Sequence, residues 1–312
     1  MRTILQLLAT AAVSVLLAMP AAAQVDPAKV EIRAEPLGPG VAVLFGAGGN
    51  MGVSHGPDGT VLIDDQFAPL TPKIAKAIAD LGGTPVKYVV NTHWHYDHTG
   101  GNENLGKTGA TIFAHDNVRV RMAAGATLLG RVIPPAPPIA LPVVTYADGI
   151  TFHLNGDQIH AVNTGGGHTD GDTVLHWAKA NVVHTGDLMM SDAPFPFIDV
   201  SSGGNAVNLV ASLDKVLAMT DDKTKVIPGH GPVTDKAGLK AWRDRIAGGL
   251  DTVRQARAKG QSLEAFLAAN PFKPMDREGA FVNSEAFARA VWASLDSEAT
   301  AKKHDHGPAH KH

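Results

Sequence analysis

The chain has 312 residues, 44% of them hydrophobic and 18% charged, which supports a substantial core and argues against long disorder. Lysine and arginine number 27 against 30 aspartates and glutamates, so no positive field draws in nucleic acid, and the expected partner is a small molecule. Cysteine is absent, which excludes disulfides, thiolate zinc sites, iron–sulfur clusters, a thiol nucleophile and a lipoprotein anchor.

Residues 1–23 read as a signal peptide. Arg2 supplies the positive start, residues 4–19 the apolar stretch, and Ala21-Ala22-Ala23 the small-residue pattern for cleavage before Gln24. The apolar stretch is short for a membrane span. A soluble periplasmic protein is therefore expected, with no membrane contact after cleavage. The rest reads as one domain over 24–300, with a core at about 41–235, C-terminal helices over 236–300 and a His-rich tail at 301–312.

Val- and Ile-rich runs bounded by Gly, Asn or Asp predict strands at 41–46, 60–65, 87–92 and 110–115. A helix is expected over 71–81, where Thr71 and Pro72 suit its first turn and Gly82-Gly83 ends it. The Gly-rich segment 49–59 reads as a hairpin, either plain or folded over the site. RVIPPAPPIALP (131–142) reads as an extended connector. A second β-rich half follows at 150–154, 158–164, 173–177, 181–186 and 225–231. Helical patterns then cover 206–219, 239–259, 262–269 and 284–295. Two β-then-helix halves imply stacked sheets flanked by helices.

The chemistry lies in 15 histidines and where they fall. NTHWHYDHTGGN (91–102) contains His93, His95, Asp97 and His98 directly after an apolar strand. Strand alternation turns His93 and His95 the same way, toward one ion. Asp97 and His98 fall where the strand ends and turn toward a second. Imidazole and carboxylate together suit a borderline cation such as zinc, with iron or manganese also admitted by this donor set.

This pattern resembles the metallo-β-lactamase-fold superfamily of zinc hydrolases, which carries H-x-H-x-D-H and then a distant His, an Asp and a final His. The matches are His168 in NTGGGHTDGDT, Asp187 in VVHTGDLMM and His230 in IPGHGP. The resemblance implies an α/β fold, a four-layer αβ/βα sandwich with two zinc ions at one edge. His93, His95 and His168 would hold one ion, Asp97, His98 and His230 the other, and Asp187 would bridge them. Asp97 would also serve catalysis. Paired zinc ions generate hydroxide near neutral pH and stabilise an oxyanion. Asp64 is the candidate acceptor behind a ligand histidine, or else a surface turn residue. Thr92, Thr99 and Thr169 either steady the ligands or simply make turns.

Having Asp at the bridging position makes the chain look more like the glyoxalase II, lactonase and phosphodiesterase branches. The implied activity is hydrolysis of a carbonyl by metal-bound hydroxide. A β-lactam is the first substrate expected, followed by lactone, thioester and phosphodiester. A zinc-binding or redox-accessory protein is the non-enzyme alternative. His55, His115, His153, His160, His176 and His184 lack ligand spacing and read as structural. Phe195-Pro196-Phe197 and the Pro-rich stretch are expected to wall the pocket. Met122, Met189, Met190 and Trp177 read as core. The tail histidines His304, His306, His310 and His312 either collect zinc or belong to a solvated, disordered segment.

Overall fold

The computed structural model describes residues 26–305. The expected signal segment and residues 306–312 lie outside the described residues. The first sheet comprises β1 (Arg33–Gly38), β2 (Val41–Phe45), β3 (Met51–Ser54), β4 (Thr60–Ile63), β5 (Val86–Val90), β6 (Thr111–His115) and, past the β7–β8 hairpin (Ala126–Leu128, Arg131–Ile133), β9 (Val144–Tyr146). It is antiparallel from β1 to β4 and parallel from β4 onward. The second sheet orders β10 (Gly149–Leu154), β11 (Asp157–Asn163), β12 (Thr173–Trp177), β13 (Val182–His184), β14 (Lys225–Ile227) and β15 (Thr234–Asp235). It is antiparallel from β10 to β13, with β14 parallel to β13 and the two-residue β15 antiparallel to β14.

Strand periodicity explains the layers. In β2, Val41 and Val43 enter the core between the sheets, while Leu44 joins the core under the helices. In β4, Val61 and Ile63 face inward and Leu62 outward. Strands buried on both faces read as continuous apolar runs, as these do. Helix α1 (Thr71–Asp80) buries Ile74, Ala77 and Ile78 on the first sheet. Beyond it lie α2 (Tyr96–Thr99), α3 (Asn102–Lys107) and α4 (Asp116–Ala124). On the other side α5 (Ala206–Ala218), α6 (Lys236–Ala258), α7 (Leu263–Ala269) and α8 (Ser284–Asp305) cover the second sheet. The result is the four-layer αβ/βα sandwich.

Several expectations need correction. Helix α6 starts at Lys236, earlier than 239, because Asp235 caps it by accepting from the Gly238 amide. Helix α8 runs through Asp305, into the tail that was expected to be disordered from 301. The stretch SEATAKK is built of helix formers that prolong it. The Pro-rich segment is not wholly extended: Arg131–Ile133 pairs with Ala126–Leu128, and Pro138–Ala140 makes a 3-10 turn. Met122, Met189, Met190 and Trp177 are buried core residues.

Candidate metal centre

The parallel strand pairs β4–β5 and β13–β14 end at one rim, and the loops leaving them carry the site together with the β11–β12 loop that holds His168. Residues 91–95 have already left the strand, so pleat alternation does not aim His93 and His95. The bend between β5 and α2 does so instead. Trp94 turns away into an apolar cluster with Ala114, Val118, Met122 and Leu141, its Nε1 donating to Ser202 Oγ at 3.1 Å. Anchoring that large ring fixes the histidines on either side of it.

All seven predicted donors converge. One ligand atom each from His93, His95, His168 and Asp187 lies within 4.8 Å of the others, and Asp97, His98 and His230 form a second such group. Asp187 stands between the groups: its carboxylate oxygens are 3.2 Å from His98 Nε2, 3.5 Å from His230 Nε2 and 3.7 Å from His168 Nε2.

Behind the donors, each of four histidines gives its other nitrogen to the protein. His98 Nδ1 donates to Asp64 Oδ2 at 2.7 Å, and His168 Nδ1 to the Phe197 carbonyl at 2.7 Å. His95 Nε2 donates to Asp199 Oδ2 at 3.1 Å. Thr92 Oγ1 donates to Asp64 Oδ2 at 2.7 Å and so turns a lone pair to His93 Nδ1, 3.0 Å away. Asp64 therefore supports His98 directly and His93 through Thr92. It is fully buried at a positive φ of 60° and also accepts from the Thr92 amide at 2.7 Å. Aspartate tolerates that left-handed backbone better than most side chains do.

In the first group these pairs leave the remaining nitrogens of His93, His95 and His168 facing one another without protons between them. His93 Nε2 is buried with no hydrogen-bond partner, and His168 Nε2 lies 2.8 Å from His95 Nδ1. Unpaired buried nitrogens are costly alone but are what cation ligands require. The donor set thus fits two metal ions.

The electrostatics divide the same way. Burial, reinforced by His98 and His168, holds the His93 pKa well below the ordinary imidazole value. Burial and the adjacent His95 bring His168 down to about 4. Burial also opposes charge on His98 and His230, but Asp187 and Asp97 outweigh it. His98 is held well above its usual value and His230 is raised to about 10.

Several contributors carry no ligand spacing of their own in the sequence. Asp199 lies 104 positions from its partner His95. Asp172, in the HTDGD run, accepts from the amides of His168 and Thr169, and burial raises its pKa to about 7. Asn50 Nδ2 donates to the carbonyls of Pro228 and Gly231, which flank His230. Gly49, in the Gly-rich segment, has no room for a side chain: a Cβ there would lie 2.1 Å from the His98 ring. Of the threonines, Thr169 Oγ1 donates to Asp172, and Thr99 Oγ1 donates to the Trp94 and His95 carbonyls.

Phe197 walls the centre, its ring 5.7 Å from His95 and 5.5 Å from His168, with Phe281 packed on it at 5.3 Å. Phe195 instead enters the helical core against Phe287. The Pro-rich segment lines a cavity of about 200 Å³ with Trp94, Tyr96 and Met122, and none of the seven donors borders it. His184 is structural, accepting from the Gly186 amide, with Nε2 3.0 Å from the Asn50 carbonyl. His115 caps α4.

A four-layer sandwich with this donor cluster at its rim defines a metal-dependent hydrolase. The family model described as the metallo-beta-lactamase superfamily matches residues 44–230, and the chain belongs to that superfamily. The hydroxyacylglutathione hydrolase of Anaeromyxobacter dehalogenans (strain 2CP-C) is 27% identical over 238 residues, covering 71% of this chain and 80% of that protein. The type 2 metallo-beta-lactamase of Bacteroides fragilis is 26% identical over 183 residues, 56% of this chain and 68% of that one. In fold, the chain is similar to a metallo-beta-lactamase from Pontibacter korlensis, with a TM-score of 0.59 at 21% identity over 70% of this chain and 99% of the other.

Proposed function

We propose that this hydrolase works with two zinc ions and opens the carbonyl of a small acyl substrate, a β-lactam amide first. The observation that carries the two-ion reading is Asp187, a buried carboxylate within 3.7 Å of imidazole nitrogens from both donor groups. His93, His95 and His168 hold one ion, Asp97, His98 and His230 the other. Imidazole and carboxylate without thiolate suit zinc. Paired zinc ions supply a nucleophile at neutral pH and positive charge for a developing oxyanion.

The chain's own residues supply the rest. Asp97 and His230 are the open side of the centre, with side chains 33% and 26% exposed, so substrate enters past them. The Phe197 and Phe281 rings form an apolar wall that suits the uncharged body of an acyl group and limits water. A thioester is the second reading, favoured by the hydroxyacylglutathione hydrolase relative, which matches more of the chain than the lactamase relative does. Lactones follow. Export to the periplasm rests on residues 1–23 alone; a mature N-terminus at Gln24 would support it. Among the described residues no helix is long and apolar enough to cross a membrane.

The test is to load metal-free protein with zinc, count bound ions and measure turnover of a chromogenic β-lactam, a thioester and a lactone, with and without chelator. The expected result is β-lactam turnover that chelator abolishes and zinc restores, absent in Asp97→Ala. Turnover of the thioester alone would transfer the assignment to that class. Two bound zinc ions with no turnover of any of the three would overturn the carbonyl reading.

A further inference from the structure

The outer face of the second sheet carries a histidine cluster that the metal centre does not use. In β10, β11 and β12, Phe152, Ile159, Ala161, Leu175 and Trp177 face the core between the sheets. Alternation therefore turns His153, His160 and His176 to the opposite face. The C-terminal helices pack on that face through Val174, Val183 and Val226. Toward β10 they leave it open, and Thr151, His153 and Gln158 are exposed.

His160 and His176 are direct partners across the antiparallel ladder, their ring centres 6.1 Å apart and their planes 39° from parallel. His160 Nδ1 lies 3.0 Å from the hydroxyl of Thr151, its partner on β10. We propose that His160 and His176 form a second, solvent-accessible site for a borderline divalent cation of the zinc and nickel class, with His153 flanking it two residues along β10.

The geometry admits an ion. A cation about 2.1 Å from one nitrogen of each ring sits roughly 3.2 Å from each ring centre, so at a tetrahedral angle the two rings sharing it lie about 5.2 Å apart. Within the dinuclear centre, rings assigned to the same ion are separated by 4.6 Å for His95–His168 to 5.3 Å for His98–His230. Both outer rings are only partly buried, so a small side-chain rotation closes the remaining gap. Donation from His160 Nδ1 to Thr151 leaves Nε2 free to ligate, the way ligand histidines are usually fixed. Burial and the facing His160 lower the His176 pKa against the opposing pull of Asp157, so its ring is available unprotonated at neutral pH. Two nitrogens completed by water bind more weakly than the seven-donor centre, so this site fills after it.

The test uses the full chain preloaded with two equivalents of zinc and titrated with paramagnetic nickel while the imidazole resonances are observed. The His160 and His176 signals are expected to broaden first, within one added equivalent. His160→Asn/His176→Asn should lose that equivalent with turnover, tightly held zinc and circular dichroism unchanged. His176→Gln alone should weaken it at least tenfold, and Thr151→Val several-fold. An added equivalent that survives in the double variant would overturn the site. So would first broadening at His304, His306, His310 or His312, or no broadening of the pair.

Discussion

Asp64 shows how much rests on a residue that is not one of the seven donors itself. It receives hydrogen bonds from His98, from the Thr92 amide and from the Thr92 hydroxyl that faces His93. Asp64→Asn keeps the size and the left-handed backbone but removes the charge. Losing such a partner typically costs 10–100-fold in metal affinity. Both ions should therefore weaken by about that factor in a competitive chelator titration, and the metal-free protein should lose about 1–3 kcal/mol of stability from buried donors left without an acceptor; weakening confined to one ion would contradict the shared role. Protonation separates the two halves of the centre. His93 and His168 lie below the ordinary imidazole pKa, so at neutral pH they carry no proton for metal to displace. His98 and His230 lie above it, His230 at about 10, so metal uptake there must expel their protons. Affinity at that half should rise with pH by up to about tenfold per unit for each proton released, while His93 and His168 add nothing to the pH slope of the other half from pH 7 to 8. Calorimetric titration in buffers of different ionisation enthalpy counts those protons, and equal pH slopes for the two equivalents would refute the division. The seven donors were legible because four fall within six residues and each of the others sits beside a glycine or threonine at a strand end. Asp199 was not, since one carboxylate at a distance of 104 residues leaves no local spacing to read; Asp172 lies close to His168 in the chain, but it accepts from backbone amides and so has no ligand spacing to show.

At the scale of elements, the site is a set of turns clamped to one another. Strand β3 begins at Met51, and the residue before it reaches across to the turn after β14 through the Asn50 amide, 2.9 Å from the Pro228 carbonyl and 2.8 Å from that of Gly231. The Asn50 amide N–H also donates to the Gly229 carbonyl at 2.7 Å. Asn50→Ala deletes the two side-chain bonds and frees the turn that carries His230. A ligand displaced by about 1 Å costs on the order of a hundredfold in rate. The expected result is a fall in kcat of about that size, with loss of the more weakly held ion and only about 1–3 kcal/mol of stability from the unpaired carbonyls. Full activity would show that His230 is placed by its own loop. This clamp explains why the Gly-rich segment is hard to read from sequence. Composition shows the turn into β4, but the four-residue β3, with Gly52 inside it, is too short and too Gly-rich to announce a strand although it pairs with its chain neighbours β2 and β4. The long Val- and Ile-rich strands and α1 were readable because their periodicity is local. Strand β1, RAEPLG, has too little apolar pattern to announce itself, and α2, only four residues long, is occupied largely by groups chosen for the metal centre.

At the scale of the whole molecule, the C-terminal helices lie beyond the 44–230 match yet share the core that positions Asp187. Leu239, Trp242, Ile246, Leu250 and Val253 of α6 pack in one cluster with Leu188, Met189 and Met190, the residues directly following Asp187. Trp242 Nε1 also donates to the Leu188 carbonyl at 2.9 Å. Burying a large apolar side chain contributes roughly 1.5–3 kcal/mol, so these five residues of α6 alone approach the 5–15 kcal/mol that separates folded from unfolded states. Ending the chain after Asp235 should therefore give a protein without a cooperative thermal transition by circular dichroism. Ending it after residue 297 keeps Phe287, Val291 and Leu295 in the core and should leave Tm within a few degrees of the full chain. The finer test is Trp242→Phe, which retains most of the ring packing and removes the bond to Leu188. It should cost about 1–3 kcal/mol through the unpaired carbonyl and weaken metal retention at the same time, because Leu188 directly follows Asp187 in the turn. A variant that loses stability but holds both ions as tightly as before would show that the helices support the sheet without steadying the centre.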